Sequence, residues 1–328
     1  MAINKFLMRS INSIICNTFL AFFTFPLTLP KLIIYFPAMD VLQSTKLIYQ
    51  FSRVFGTAPY TIKIINKKRI VVIKKNYAWC TGCIFLLFFI PTLYFVIAYA
   101  SVDLAQIKSF WSRITYVLDM AVYLINTGFT PFNFLKYRKL LCQSLNRINN
   151  LKIVNRINEL NFNKLKKLNN FCLVYNITFS VFITLGVMFY QVLILKNVSI
   201  FMIVNYLSGI VALCSVISSY TQFLACVNIM RWKYMEINEI LDSQIKNKIN
   251  IFTLKNLRKS DGLLKDFLND VCKIFSFNIF LCIVQTFLTT VDGVYQFFSN
   301  ETILLYFISY IFYLSLMIIL CNMTVDEV

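Results

Sequence analysis

Apolar runs of at least about 20 residues, the length needed to cross a bilayer, divide this chain. Six runs reach that length: about 78–100, 110–132, 170–193, 199–228, 274–298 and 303–322. The gaps between them alternate. Those after the first, third and fifth runs are about 9, 5 and 4 residues long, and those after the second and fourth are about 37 and 45. The long gaps are amphipathic. Leu140, Leu141, Leu145, Ile148, Leu151 and Val154 recur at helical spacing between basic residues, and Leu254, Leu257, Leu263, Leu264 and Phe267 do much the same. This pattern predicts helices that continue out of the membrane and pack on one another. An amphipathic helix lying on the membrane surface is the alternative. Backbone groups in lipid must be bonded internally, and these runs are too long and continuous for barrel strands. The expected fold is an all-α integral membrane protein, a helical bundle with six transmembrane helices that extend into the cytoplasm.

Charge orients this bundle. Of 32 Lys and Arg residues, eleven lie in residues 1–77, nine between Lys136 and Lys167, and nine between Arg231 and Lys273. The other gaps hold only Lys108, Arg113 and Lys196. Short loops keep their Lys and Arg on the cytoplasmic side, so the N-terminus and the chain's end at Val328 are both expected there, in a multi-pass plasma-membrane protein. A net charge of +18 on a soluble domain would point to nucleic acid. Placed in loops on one face, it points to membrane lipid, the anionic cytoplasmic leaflet, and away from nucleic acid. Residues 1–45 form an apolar N-terminal extension. Its stretch 10–30 is uncharged and long enough to span, but Pro26 and Pro30 oppose a continuous helix. An interfacial or re-entrant segment, an uncleaved span and a signal peptide all stay open.

The chain has no His, which removes Ser-His-Asp and Cys-His triads and His metal sites together. Cys80 and Cys83 form a CxxC that enters an apolar run without a second pair, so they read as packing residues. No Gly-rich phosphate loop is present. Neither an enzyme, a cofactor nor a metal is expected.

Three motifs around the runs resemble the insect gustatory receptor family. "FSRVFGTAPYTI" (51–62) resembles its N-terminal Phe-Gly-x-x-Pro pattern, with Phe55, Gly56 and Pro59 in place. "KYMEINEIL" resembles its Arg-Phe-x-x-Leu-Asn-x-x-Leu, with Lys233, Tyr234, Ile237, Asn238 and Leu241 at the fixed positions. "CNMTVDE" resembles the Cys and Glu that close the family's sixth helix, here Cys321 and Glu327. The resemblance covers about residues 46–328. It implies seven helices and tetrameric, ligand-gated cation channels with small-molecule tastants as partners. The family's seventh helix carries its Thr-Tyr…Gln-Phe pore motif, and the chain stops at Val328, before that helix. The resemblance therefore predicts a chain that lacks the pore helix and does not conduct alone, being an incomplete gene, a degenerate gene or a subunit that needs an intact partner; it also implies a homo- or hetero-oligomer.

The resemblance also implies a ligand pocket in the outer half of the bundle. The outer halves of the runs carry Tyr116, Asp119 and Tyr123; Gln191; Asn205 and Tyr206; Asp292, Tyr295 and Gln296; and Tyr310. Aromatic walls with a few hydrogen-bonding groups suit a small polar or amphipathic ligand. Trp111, Tyr190 and Tyr306 read instead as interfacial anchors. Asp119 is the sharpest of the candidates. A carboxylate inside a span costs about 2.5–3.5 kcal/mol on insertion scales, so it should face the interior, for ligand contact, cation attraction or a structural hydrogen bond.

Other receptor and transporter classes make different demands. A G-protein-coupled receptor would show an acidic-Arg pair after its third span and a Pro-containing motif in its last. The corresponding places read "FLKYRKL" and "LCNMTVDEV". A transporter would show broken helices and paired repeats, and no repeat is seen. Odorant receptors share the expected topology and remain the alternative to a gustatory one.

Overall fold

The computed structural model describes residues 41–65, 68–73, 110–151, 162–178, 200–246 and 251–298, with scattered positions between 76 and 97. The chain divides into two compact units, Met1–Ala38 and Met39–Val328, and every element below belongs to the second. In order these are α1 (Val41–Ser44), α2 (Lys46–Val54), β1 (Tyr60–Ile65), β2 (Lys68–Ile73), α3 (Phe110–Asn150), α4 (162–178), α5 (Ile200–Lys246) and α6 (Ile251–Phe298).

Helices α3, α5 and α6 hold 41, 47 and 48 residues. At about 1.5 Å per residue they run roughly 60–70 Å, twice the ~30 Å hydrocarbon core of a bilayer. Each joins an apolar run to its amphipathic extension without a break, as the periodicity predicts. The runs 110–132, 199–228 and 274–298 lie within them, and the third run is helical over 170–178. The rest of that run, most of 78–100 and all of 303–322 lie outside the described residues, as do Cys80, Cys83 and the 10–30 segment. Among the described residues, one helix, Ile251–Gln285, is long and apolar enough by composition alone to cross a membrane.

The expectation of an all-helical chain fails at residues 60–73. These form an antiparallel hairpin with Tyr60 opposite Ile73 and Ile65 opposite Lys68. Both strands are rich in β-branched residues (Ile62, Ile64, Ile65, Ile70, Val71, Val72 and Ile73), which lose side-chain freedom in a helix and fit a pleated surface. The outer edge of β2 is closed by α3. The Val71 N–H donates to Asn146 Oδ1 at 2.8 Å, and Asn146 Nδ2 donates to the Val71 carbonyl at 2.8 Å. Asn149 Nδ2 donates to the Arg69 carbonyl at 3.1 Å. Two side-chain amides thus stand in for a third strand.

The largest core lies where the amphipathic extensions meet. Leu141, Leu145 and Ile148 of α3 pack with Leu257, Leu264 and Phe267 of α6, with Ile229 and Trp232 of α5, and with Val41, Leu42 and Val71. Most of the apolar positions read from the periodicity are buried there, but Leu254 and Leu263 are exposed. Val154 lies outside the described residues.

The exposed faces change character along the helices. On α3, Ile125, Phe129 and Phe132 are exposed and are followed by exposed Lys136, Lys139, Gln143 and Arg147. On α6, Phe287, Phe280 and Phe277 give way to exposed Lys273, and on α4, Val174 and Phe171 give way to exposed Lys167. The change is level between α3 and α6, because Asn133 Nδ2 donates to the Ile274 carbonyl at 2.6 Å. An apolar surface ending in lysines at one level is the pattern of helices leaving hydrocarbon for the interface.

Candidate functional site

The Phe-Gly-x-x-Pro motif is a helix stop. Gly56 has φ 72°, the left-handed region that a side chain disfavours, one residue past Phe55, which caps the end of α2. The Thr57 N–H donates to the Ser52 carbonyl at 2.9 Å, the long bond of a Schellman cap. Phe55 packs against Phe51 with the rings tilted by 51° and centroids 4.7 Å apart, and the Tyr77 hydroxyl donates to the Gly56 carbonyl. The turn exposes a hydroxyl cluster to α5. Ser218 Oγ lies 2.5 Å from Thr57 Oγ1 and donates to Ser52 Oγ at 2.7 Å, and Gln222 Nε2 donates to Thr57 Oγ1 at 3.1 Å. The motif docks the N-terminal elements against α5.

The second motif lies on the C-terminal part of α5, and most of it packs against the core. Lys233 and Glu236 form an ion pair at 2.9 Å with side chains 3% and 10% exposed, and the Lys233 ammonium sits 4.2 Å from the Trp232 ring centre. Burial pushes the Glu236 carboxyl up, partly offset by Lys233, and pushes the Lys233 amine down, partly offset by Glu236. Tyr234 Oη donates to Asp261 Oδ1 of α6 at 3.4 Å, and burial raises its phenol first, with the Asp261 charge adding to the shift. Ile237 is buried, Leu241 half-buried and Asn238 exposed. These residues hold α5 to its surroundings; Cys321 and Glu327 lie outside the described residues.

At the inner end of the apolar surface, α3, α5 and α6 share a buried polar junction. Asn278 Nδ2 donates to Thr130 Oγ1 and to Ser219 Oγ, both at 3.1 Å, and Asn133 Nδ2 donates to Asn278 Oδ1 at 3.1 Å. Thr130 Oγ1 also donates to the Asn126 carbonyl at 2.7 Å, and Asn126 Nδ2 lies 3.4 Å from Cys282 Sγ. All of these except Cys282 are at most 3% exposed. In hydrocarbon such groups must find each other, because no water replaces a missing partner.

This junction sets the register of the candidate ligand residues. Asp119 precedes Asn133 by 14 residues, Asn205 precedes Ser219 by 14, and Asp292 follows Asn278 by 14. At ~1.5 Å per residue, each helix carries its candidate about 21 Å beyond the junction, toward the opposite end of the apolar surface. Fourteen residues are nearly four full turns, so on α3 Asp119 also returns close to the side that bears the junction. Asp119 and Tyr123 are half-buried one turn apart on α3. With Asn126, Thr130 and Asn133 they form one polar stripe at i, i+4, i+7, i+11 and i+14. The side chains of Tyr116, Asn205, Tyr206, Asp292, Tyr295 and Gln296 lie outside the described ones, although their helices are placed, and Gln191 and Tyr310 lie outside the described residues altogether.

A cavity of about 20 Å³ lies on the inner side, lined by Tyr49, Tyr60, Gln222, Leu145 and Phe275 among others. That is room for about one water, far below the several hundred Å³ of a ligand pocket.

The chain matches the model of the family described as 7tm chemosensory receptor over residues 45–328. No curated protein matches it. Among solved structures it is similar to the insect olfactory receptor OR5 from Machilis hrabei, with a TM-score of 0.67 and 14% identity over 87% of this chain and 80% of that one. At that identity the likeness concerns the fold.

Proposed function

The chain belongs to the 7tm chemosensory receptor family, a family of membrane-embedded receptors, and from that premise we propose that it is a gustatory receptor that recognises small-molecule tastants at the plasma membrane. The observation that carries the reading is the common level of Asp119, Asn205 and Asp292, each 14 residues from one polar junction. In this reading each of the three helices contributes one such position to a ligand site, with Tyr116, Tyr123, Tyr206, Tyr295 and Gln296 within about a turn of them along the sequence. Gln191 and Tyr310 are proposed as further ligand contacts. Its ligands are small, with an apolar body and one or two polar groups. In this reading the receptor works as an oligomer that passes cations, with its N-terminus in the cytoplasm.

The Phe55, Gly56, Pro59 and Lys233–Leu241 motifs support the gustatory reading. The likeness to an olfactory receptor supports an odorant receptor equally well, and the same layer would then take volatile, more apolar ligands. The discriminating experiment is expression of the full chain, surface-labelled and together with a conducting family member, followed by challenge with water-soluble tastants and with volatiles. Responses confined to volatiles would replace the gustatory reading by the odorant one. Asp119→Ala, if it leaves both response and surface level unchanged, removes that carboxylate from the site.

A further inference from the structure

The seam between α3 and α6 has a feature that neither packing nor ligand recognition uses. Phe129 of α3 and Phe277 of α6 stack edge to face with centroids 4.6 Å apart, yet each keeps about 40% of its surface exposed (40% and 42%). Phe132 and Phe280 flank them and are also exposed, at 46% and 59%. Directly below on each helix stands an exposed lysine. Lys136 is seven residues beyond Phe129 on the same face of α3, and Lys273 is four residues before Phe277 on the same face of α6. Lys139 follows one turn further on α3. The Asn133–Ile274 hydrogen bond fixes the two helices in register at this height, so the two lysines flank one seam.

These cations are not spent on the protein's own carboxylates. The nearest acidic residue along α6, Asp270, is engaged by Ser144 and by Arg147 at 3.7 Å. Among the described residues neither Lys136 nor Lys273 takes part in an ion pair, and Lys136 lies 5.1 Å from the Tyr137 ring centre. Among the described residues the seam therefore presents two cations without an ion-pair partner immediately beneath an exposed aromatic surface, at the level where the apolar face ends.

We infer that this seam is a binding site for an anionic phospholipid. The headgroup phosphate lies between Lys136 and Lys273, with Lys139 beside it, and an acyl chain lies along Phe129, Phe277 and Phe280. Charge complementarity selects the headgroup. The apolar ridge above it selects a lipid over a free phosphate, since a free anion has nothing to place there. The inference rests on the membrane-embedded fold and is independent of which ligand the receptor senses.

The test uses the full chain in phosphatidylcholine nanodiscs doped with phosphatidylserine or phosphatidylinositol bisphosphate. Bound lipid is counted by native mass spectrometry, and affinity is followed by transfer of a fluorescent anionic lipid. A juxtamembrane Lys contributes about fivefold in affinity for an anionic surface, so Lys136→Gln with Lys273→Gln should weaken anionic-lipid retention by roughly 25-fold and leave phosphatidylcholine unaffected. Phe129→Ala with Phe277→Ala should weaken it with the lysines intact. Lys255→Gln with Lys259→Gln, an exposed pair about 20 Å further along α6, should change nothing. Equal weakening by that distal pair would reduce the site to general surface charge and overturn the proposal. Unchanged retention in the seam variants, or displacement of the lipid by millimolar inorganic phosphate, would overturn it too. Circular dichroism and monodispersity of each variant separate loss of the site from loss of the fold.

Discussion

Replacing Asn278 by Leu tests how the bundle holds its register. Asn278 makes three side-chain hydrogen bonds, each at 3.1 Å, to Thr130, Ser219 and Asn133, and so ties three helices together. Leu keeps the branched outline of Asn but is bulkier, so no cavity is left and any overpacking adds to the loss. Interhelical hydrogen bonds between membrane-spanning helices average about 0.6 kcal/mol each, which puts the loss near 2 kcal/mol. Asn133 keeps its bond to the Ile274 carbonyl and Thr130 keeps the Asn126 carbonyl, so Ser219 is the group most exposed to the change. The assay is unfolding of the purified receptor in nanodiscs, read by proteolysis of the unfolded fraction. A loss of about 2 kcal/mol raises that fraction roughly 30-fold. Gln143→Ala, on the exposed face of α3, serves as the control and should stay within about 0.5 kcal/mol of wild type. An Asn278→Leu protein as stable as wild type would mean that the junction is not what holds α3, α5 and α6 together.

Gly56→Ala forces a side chain into the left-handed region at φ 72° and should cost about 1–2 kcal/mol, read as a lower unfolding temperature and faster proteolysis between α2 and β1. Asn146→Ala removes both bonds to Val71 and should raise hydrogen exchange across β2 while leaving α5 unchanged. Lys233→Met strands a buried carboxylate and should cost about 3–5 kcal/mol at neutral pH, most of it recovered when Glu236→Leu is added. The pH dependence follows from the raised Glu236 carboxyl. A folded-state value above the unfolded one means that the folded form binds the proton more tightly. Lys233 holds that carboxyl down in the wild type, so its loss raises Glu236 further, and the Lys233→Met deficit should keep its full size above the variant's raised value and narrow as pH falls from there toward 4.5, in unfolding measured across that range.

The helices were legible because burial imposes a period. Leu141, Leu145, Ile148, Leu257, Leu264 and Phe267 announce their faces by spacing alone, and all six are buried. Leu254 and Leu263 have the same spacing but stay exposed, since periodicity reports a face and not whether a neighbour reaches it. The hairpin was hidden by context. Its basic, β-branched strands adjoin an apolar run, and their pairing depends on Asn146 and Asn149, which lie more than 70 positions away. The polar junction left a readable trace in the stripe of Asp119, Tyr123, Asn126, Thr130 and Asn133, although only the first two were singled out as candidates. Asn278 and Ser219 could not be assigned to that stripe without knowing which helices touch. The two described family motifs marked the family in the sequence without showing their roles, which are to terminate a helix and to pack the C-terminal part of α5.

The central claim is that one layer of the bundle, holding Asp119, Asn205 and Asp292, recognises a small molecule. Its most direct test is ligand-evoked current from the surface-expressed full chain, co-expressed with a conducting family member, across a panel of tastants and volatiles. The account predicts that Asp119→Ala and Asn205→Ala shift the dose–response at least tenfold at unchanged surface level, while exposed Asn238→Ala on the inner part of α5 does not. Responses of equal potency in wild type and in both layer variants would contradict it.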